Sequence, residues 1–65
     1  MDSRDERLLT EREASAYLGI SIGTLGNWRS VGRGPLYCKI GGYAVRYSSE
    51  DLRDFVNDSK IAVAG

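Results

Sequence analysis

The sequence lacks histidine altogether and contains a single cysteine, Cys38, and a single proline, Pro35. One cysteine excludes an internal disulfide, and without histidine the usual Cys/His zinc sites have no complete set of ligands. General acid–base catalysis recruits histidine most often, and neither a nucleophile motif nor a phosphate-binding glycine loop is present. We therefore predict that the protein is not an enzyme and that it uses no metal, no cofactor and no small-molecule substrate.

Long hydrophobic runs are also missing. No segment approaches the roughly 20 apolar residues of a transmembrane helix, and Met1–Arg7 is too rich in charge for a signal peptide. A lone thiol fits a reducing compartment, so we expect a cytoplasmic protein with no membrane partner. The length of 65 residues allows one domain with a small core. We expect a flexible N-terminal segment at 1–7, the domain at 8–59 and a C-terminal tail at 60–65.

Acidic residues are absent from the middle of the sequence. Residues 1–13 and residues 48–65 each carry a formal charge of −2, which offsets +4 in residues 14–47 and leaves the chain neutral. The basic residues of this acid-free segment are Arg29, Arg33, Lys39 and Arg46. Such a segment is what binding to a polyanion requires and favours a nucleic-acid partner. Chance segregation of charge in a short chain is the alternative explanation.

The helix signals are strong. Thr10 and Glu13 form a capping-box pattern that predicts the start of a first helix, and Gly19 predicts its end. Ser21 predicts the N-cap of a second helix that runs to about Ser30. A last helix is predicted to start at Ser48. The residues predicted to face the core are Leu9 before the first cap; Ala14, Tyr17 and Leu18; Ile20; Leu25 and Trp28; and Leu52, Phe55 and Val56.

Two β-prone runs, Leu36–Ile40 and Tyr43–Tyr47, surround Gly41–Gly42 and predict a hairpin with a two-residue type I′ turn. This register pairs Ile40 with Tyr43, Cys38 with Val45 and Leu36 with Tyr47. These pairs would form an apolar face in which the Cys38 thiol is buried. The opposite face would be basic and aromatic, with Tyr37 beside Arg46 and Lys39 beside Ala44.

Two short helices joined by a glycine turn are typical of a helix-turn-helix, with the small Ser15 where the helices cross most closely. The sequence therefore predicts an α+β, mainly α fold, a winged helix-turn-helix in the order helix, helix, β-hairpin wing, helix. In this motif the exposed face of the second helix enters the major groove of DNA. That face would consist of Ile22, Gly23, Gly26, Asn27 and Ser30. An ordinary helical hairpin with a solvated outer face is the alternative.

Several short motifs are shared with a known family. They are Leu9-Thr10, Glu13-Ala14, Tyr17-Leu18-Gly19-Ile20-Ser21, Thr24-Leu25, Asn27-Trp28-Arg29, Gly32-Arg33-Gly34-Pro35, Lys39-Ile40-Gly41-Gly42, Ala44-Val45-Arg46-Tyr47 and Asp51-Leu52. In these motifs the sequence resembles the excisionases and AlpA-like regulators of phages and integrated elements, whose winged helix-turn-helix is related to the MerR type. The resemblance implies a protein that binds and bends attachment-site DNA and directs a partner integrase toward excision. It equally allows a role as a small transcriptional regulator.

The resemblance also implies which residues meet double-stranded DNA. Arg29, Arg33, Lys39 and Arg46 look like phosphate and minor-groove residues, and Asn27 is the best candidate for reading a base, since an amide bonds an adenine edge bidentately. Where relatives often carry basic side chains, this sequence has Ile22, Gly23 and Gly26 on the helix and Tyr43 at the wing tip. The full predicted DNA-binding set is Ser21, Ile22, Gly23, Thr24, Gly26, Asn27, Arg29, Ser30, Arg33, Lys39, Gly41, Gly42, Tyr43 and Arg46.

Each of these assignments has an alternative. Arg29 and Arg33 are also compatible with solvated surface charges, and Asn27 with an ordinary exposed polar residue. With few side chains that read bases, we expect several copies to bind neighbouring DNA sites cooperatively without forming a dimer in solution. A protein-interaction module of the antirepressor type, which binds its partner through the acidic last helix or the apolar tail, is the alternative function from another class.

Overall fold

The computed structural model describes residues 7–63 and contains three helices and three short strands. In chain order the elements are β1 (Leu8–Leu9), α1 (Glu11–Leu18), α2 (Ile22–Ser30), β2 (Cys38–Ile40), β3 (Ala44–Ser48) and α3 (Ser49–Asp58). The mainly helical composition and the order helix, helix, hairpin, helix confirm the predicted winged helix-turn-helix. Residues 1–6 and 64–65, to which most of the predicted N-terminal segment and the end of the predicted tail belong, lie outside the described residues.

The predicted N-caps are all present. The Glu13 N–H donates to Thr10 Oγ1 at 3.1 Å, and the Thr10 N–H donates to Glu13 Oε1 at 2.9 Å, which completes the capping box of α1. Ser21 accepts from the Thr24 N–H at 3.1 Å at the start of α2. Ser48 accepts from the Asp51 N–H at 3.0 Å at the start of α3. These bonds satisfy backbone donors that the first turn of each helix leaves without a partner.

The core is small and draws on almost every element. Its cluster of buried hydrophobic side chains consists of Leu9, Ala14, Leu25, Tyr47 and Leu52. Leu18, Ile20, Trp28 and Val45 pack against this cluster and are half-buried. Phe55 is half-buried against the Trp28 ring, with ring centroids 5.8 Å apart.

Two predicted core positions are more exposed than expected. Tyr17 is 50% exposed because α1 directs Ala14 into the core, and a position three residues on lies toward the edge of that face. Val56 is 38% exposed at the edge of α3, because Leu52 takes the buried position of that helix. The apolar stripes of both helices are therefore narrower than the sequence predicts.

A third strand that the sequence analysis did not identify completes the sheet, whose order is β1-β3-β2. Leu8 pairs with Ser48 and Leu9 with Tyr47 in antiparallel register. The Ser49 N–H also donates to the Arg7 carbonyl at 2.7 Å, which continues the pairing by one residue. Two residues are too few to show a strand periodicity, so the pattern of the sequence gave no signal for β1.

The predicted hairpin register is wrong by one residue. β2 and β3 pair Cys38 with Arg46, Lys39 with Val45 and Ile40 with Ala44. Gly41 and Gly42 do adopt positive φ angles of 65° and 88°, as a type I′ turn needs, but Tyr43 follows them as an extra residue outside the ladder. Every residue of β2 is exposed. Burial therefore does not enforce the register of this strand, and the extra residue at the turn decides it.

The register error also reverses the predicted faces of β2. Cys38 is exposed rather than buried, and Leu36, Ile40 and Tyr43 are 71%, 48% and 83% exposed. Of the predicted apolar face, Tyr47 is buried at 1% exposure and Val45 is half-buried. The predicted basic face does not exist either, because Lys39 shares a face with Val45, and Arg46 lies on the opposite one.

Gly34 lies in the loop after α2, where backbone and side chain come unusually close. It has φ 85°, and a Cβ atom added to it would lie 2.8 Å from Trp28 Cε3. Gly32 in the same loop has a similar φ of 74°, but a Cβ atom added there would meet nothing within 4 Å. The two glycines thus share the backbone requirement and differ only in the contact with Trp28.

We expect Gly34→Ala to destabilise the domain far more than Gly32→Ala. Both variants place a Cβ atom in a left-handed conformation, which costs about 1–2 kcal/mol. Gly34→Ala also forces the Trp28 ring to move, and overpacking of this kind adds about 1–3 kcal/mol. Urea unfolding followed by circular dichroism measures both losses. Equal losses in the two variants would contradict the close packing of Trp28 on Gly34.

Candidate nucleic-acid interface

The outer face of α2 is exposed and uncharged. Ile22, Gly23, Asn27 and Ser30 are exposed, whereas Leu25 is buried. These four positions belong to the face that the sequence predicts to be directed outward. A polyanion that approaches this face meets the Asn27 amide, the Ser30 hydroxyl and a backbone that Gly23 leaves uncovered.

Gly26 lies at the edge of this face, one helical turn from both Ile22 and Ser30. It is half-buried, and a Cβ atom added to it would lie 3.9 Å from Glu11 Oε2 and 3.9 Å from Arg29 Nη2. The side chain of Glu11 from α1 therefore partly covers Gly26.

The turn between the helices is fixed by hydrogen bonds. The N–H groups of Gly19 and Ile20 both donate to the Ser15 carbonyl, at 2.8 and 3.2 Å. The Ser15 hydroxyl donates to the Ile20 carbonyl. Ser21 Oγ donates to Thr24 Oγ1 at 2.9 Å in addition to capping α2. The hydroxyls of Ser21 and Thr24, two predicted DNA-binding residues, therefore already bond to each other within the helix start.

Arg29 is the most engaged side chain of α2. Its guanidinium forms an ion pair with Glu11 of α1 and donates to Tyr47 Oη of β3 at 3.4 Å. Its Cζ atom lies 5.7 Å from the centroid of the Tyr37 ring, within cation–π distance. The hydrogen bond with Glu11, followed by the one with Tyr47, raises the pKa of Arg29. The predicted contact of Arg29 with phosphate stays a prediction, and intramolecular partners already surround its guanidinium.

The partners of Arg29 were not among the predicted site residues. Glu11 and Tyr47 each lie 18 residues from Arg29 in the sequence. Pairing at such a separation leaves no periodic signal in a single sequence. The Tyr37 and Tyr47 rings are also in contact, with centroids 6.2 Å apart, as the observed hairpin register allows.

Arg33 lies beside this group on the loop after α2. The Arg33 N–H donates to the Trp28 carbonyl at 2.7 Å, and the residue is exposed. Arg29, Arg33 and Tyr37 line one cavity of about 240 Å³ between α2 and the start of the wing. The structure therefore brings two of the four basic residues of the acid-free segment together.

Lys39 and Arg46, the other two, lie on opposite faces of the hairpin. Lys39 is exposed on the face that also carries Val45 and Tyr47. Arg46 is half-buried, and its Nη1 donates to the Val45 carbonyl at 2.8 Å. At the tip, Gly41, Gly42 and Tyr43 are all exposed.

Arg46 contributes to the electrostatics of the α1 capping box. The pKa of Glu13 lies below its ordinary value, first because the Thr10 N–H donates to its carboxylate, with smaller contributions from the charges of Arg7 and Arg46. The four basic residues thus do not form one continuous surface.

A separate cavity of about 420 Å³ lies between α2 and α3 and is apolar. Its lining consists of Leu18, Ile20, Trp28, Phe55, Val56, Ser59 and Lys60. Only Lys60 of these side chains is ionisable, so the cavity does not provide the paired acid and base of a catalytic site.

None of the helices within residues 7–63 has the length and apolar character needed to cross a membrane. A profile of the helix-turn-helix domain family matches residues 8–60, which contain all three helices and the hairpin. No curated protein and no solved structure shows a significant match to the chain. Because the family profile covers most of the sequence, the chain belongs to the helix-turn-helix domain family and is a DNA-binding helix-turn-helix protein.

Proposed function

We propose that this protein is an excisionase-type accessory factor. It binds attachment-site DNA sequence-specifically, bends it, and directs a partner integrase toward excision. The proposal combines the helix-turn-helix assignment with the short motifs that the sequence shares with excisionases and AlpA-like regulators. The observation that best supports this proposal is the exposed, uncharged face of α2 beside Arg33. Both lie in residues 14–47, which contain no acidic residue.

In this proposal α2 is the recognition helix. Its outer face has few groups that can read bases, and Asn27 is the side chain suited to an adenine edge. Gly23 allows the helix backbone to come close to the floor of the major groove. Much of the specificity then comes from the shape and deformability of the DNA, which suits a protein that bends its site.

The phosphate contacts come from the side of the wing that faces the helices. Lys39 shares its face of the hairpin with Tyr47, which bonds to Arg29 of α2. Arg33 is exposed on the loop that leaves α2. Arg33 and Lys39 therefore flank the recognition helix, whereas Arg46 lies on the opposite face of the hairpin.

Several copies bind side by side in this proposal. Arg33, Lys39 and the helix N-termini of one copy make only a few phosphate contacts, which is little for a specific site. The middle of the chain is basic and both ends are acidic, so neighbouring copies on DNA attract one another. The integrase is the second protein partner.

We expect Gly23→Ala to stabilise the fold and to weaken DNA binding, whereas Gly26→Ala stabilises the fold without this effect. Neither added Cβ atom meets an atom closer than 3.9 Å, so each variant gains roughly 0.5–1 kcal/mol of helix stability. The Gly23 variant adds its methyl group to the fully exposed part of the face, whereas the Gly26 methyl group lies beside Glu11 and Arg29. Thermal melting and fluorescence anisotropy with duplex DNA measure the two effects. Parental DNA affinity in the Gly23 variant would show that this face does not enter the groove.

A second comparison tests which side of the wing meets DNA. Lys39→Ala should lower the log–log salt slope of binding by about 0.9, the share of one lost phosphate contact. Arg46→Ala removes the same charge from the opposite face and should leave the slope unchanged. The reverse result would place the DNA on the Arg46 face, and no change in either variant would remove the wing from the interface.

The function itself is tested by selecting bound sites from random duplexes and from the DNA of the host element. We expect clustered sites next to a recombination core, cooperative filling of those sites by a protein that sediments as a monomer, and greater excision when the protein is added to the integrase. Sites at promoters without an effect on excision would instead establish a small transcriptional regulator. Absence of salt-dependent DNA binding would leave the protein-interaction module.

A further inference from the structure

Arg29 lies where α1, α2 and the two strands of the hairpin meet. Its guanidinium pairs with Glu11 of α1, donates to Tyr47 of β3, and lies over the ring of Tyr37 at the start of the wing. The side chain is only 22% exposed. Such a cluster of contacts at one planar group fixes direction as well as distance, because a guanidinium offers donors in a rigid fork.

β3 is anchored in the core, but few other contacts hold the wing at a fixed angle to α2. Every residue of β2 is exposed, and the strand is hydrogen-bonded to β3. Tyr37, next to β2, reaches both the Tyr47 ring and the Arg29 guanidinium. Arg29 thus connects the end of the recognition helix with the base of the wing.

We infer that Arg29 is a positioning residue that holds the wing at a set angle to α2, and that Glu11 is the anchor of that arrangement. Arg29 consequently acts on DNA binding through the wing and not through a phosphate. The role of Arg29 in the wing angle follows from the intramolecular contacts alone, whereas its effect on DNA binding rests on the proposed function.

The wing angle can be measured without DNA, since Cys38 is the only cysteine and is exposed on β2. A spin label there and a second at Ala16→Cys on the exposed face of α1 report the separation by double electron–electron resonance. We expect one narrow distance distribution in the parent protein. It should broaden or shift in Arg29→Gln and in Glu11→Gln, and stay narrow in Arg46→Gln, the matched control on the wing.

DNA binding adds a second test, in which the direction of the change in affinity distinguishes electrostatics from positioning. Glu11→Gln removes a negative charge, so electrostatics alone predicts tighter binding to DNA. The positioning role predicts binding about tenfold weaker, with an unchanged salt slope in both Glu11→Gln and Arg29→Gln. Asp54→Asn, which removes an exposed acid on α3, is the charge control and should not weaken binding.

Two results would contradict the positioning role of Arg29. An unchanged distance distribution in Glu11→Gln and Arg29→Gln overturns the inference, and so does a salt slope reduced by about 0.9 in Arg29→Gln. If Arg29→Gln does not fold by circular dichroism, Arg29→Lys, which keeps the charge without the fork, takes its place with the same expected distance change. A parent protein that binds no DNA would refute the proposed function, while the distance measurement would still decide the role of Arg29.

Discussion

The structure depends on the burial of β3, the central strand of the sheet, whose Tyr47 packs against the helices. Five of the six elements each contribute one side chain to the buried core: Leu9 from β1, Ala14 from α1, Leu25 from α2, Tyr47 from β3 and Leu52 from α3. Tyr47 is the largest of them, and its hydroxyl accepts from Arg29 while its ring contacts Tyr37. A core this small has no redundancy, so loss of one member would expose the others.

β3 also connects the buried core with the candidate nucleic-acid interface. Because β3 pairs with β1 on one edge and with β2 on the other, the wing extends from the most buried part of the sheet. α2 reaches that strand through the contact of Arg29 with Tyr47. The relative placement of helix and wing is therefore set inside the protein, before any DNA is present, which reduces the ordering that binding would otherwise require.

Local sequence signals predicted the helices correctly. The hairpin register and the contacts of Arg29 could not be predicted from such signals. Thr10, Ser21 and Ser48 carry their cap signals within three residues, and a capping hydrogen bond needs nothing farther away. The hairpin turn was also recognisable, but the extra residue Tyr43 was not, since β2 is exposed on both faces and its alternation carries no information about register. The contact of Arg29 with Glu11 and Tyr47 depends on how α1, α2 and β3 pack, and a single sequence does not encode that packing in its spacing.

β2 is the one element that adds nothing to the buried cluster. Substitutions at exposed positions of this kind usually change the free energy of unfolding by less than about 0.5 kcal/mol. β2 can therefore diverge in sequence while the rest of the domain, β3 included, stays under strict packing constraints. Under the proposed function, new DNA preferences can evolve there with little loss of stability, provided that the base of the hairpin keeps its contacts with Arg29.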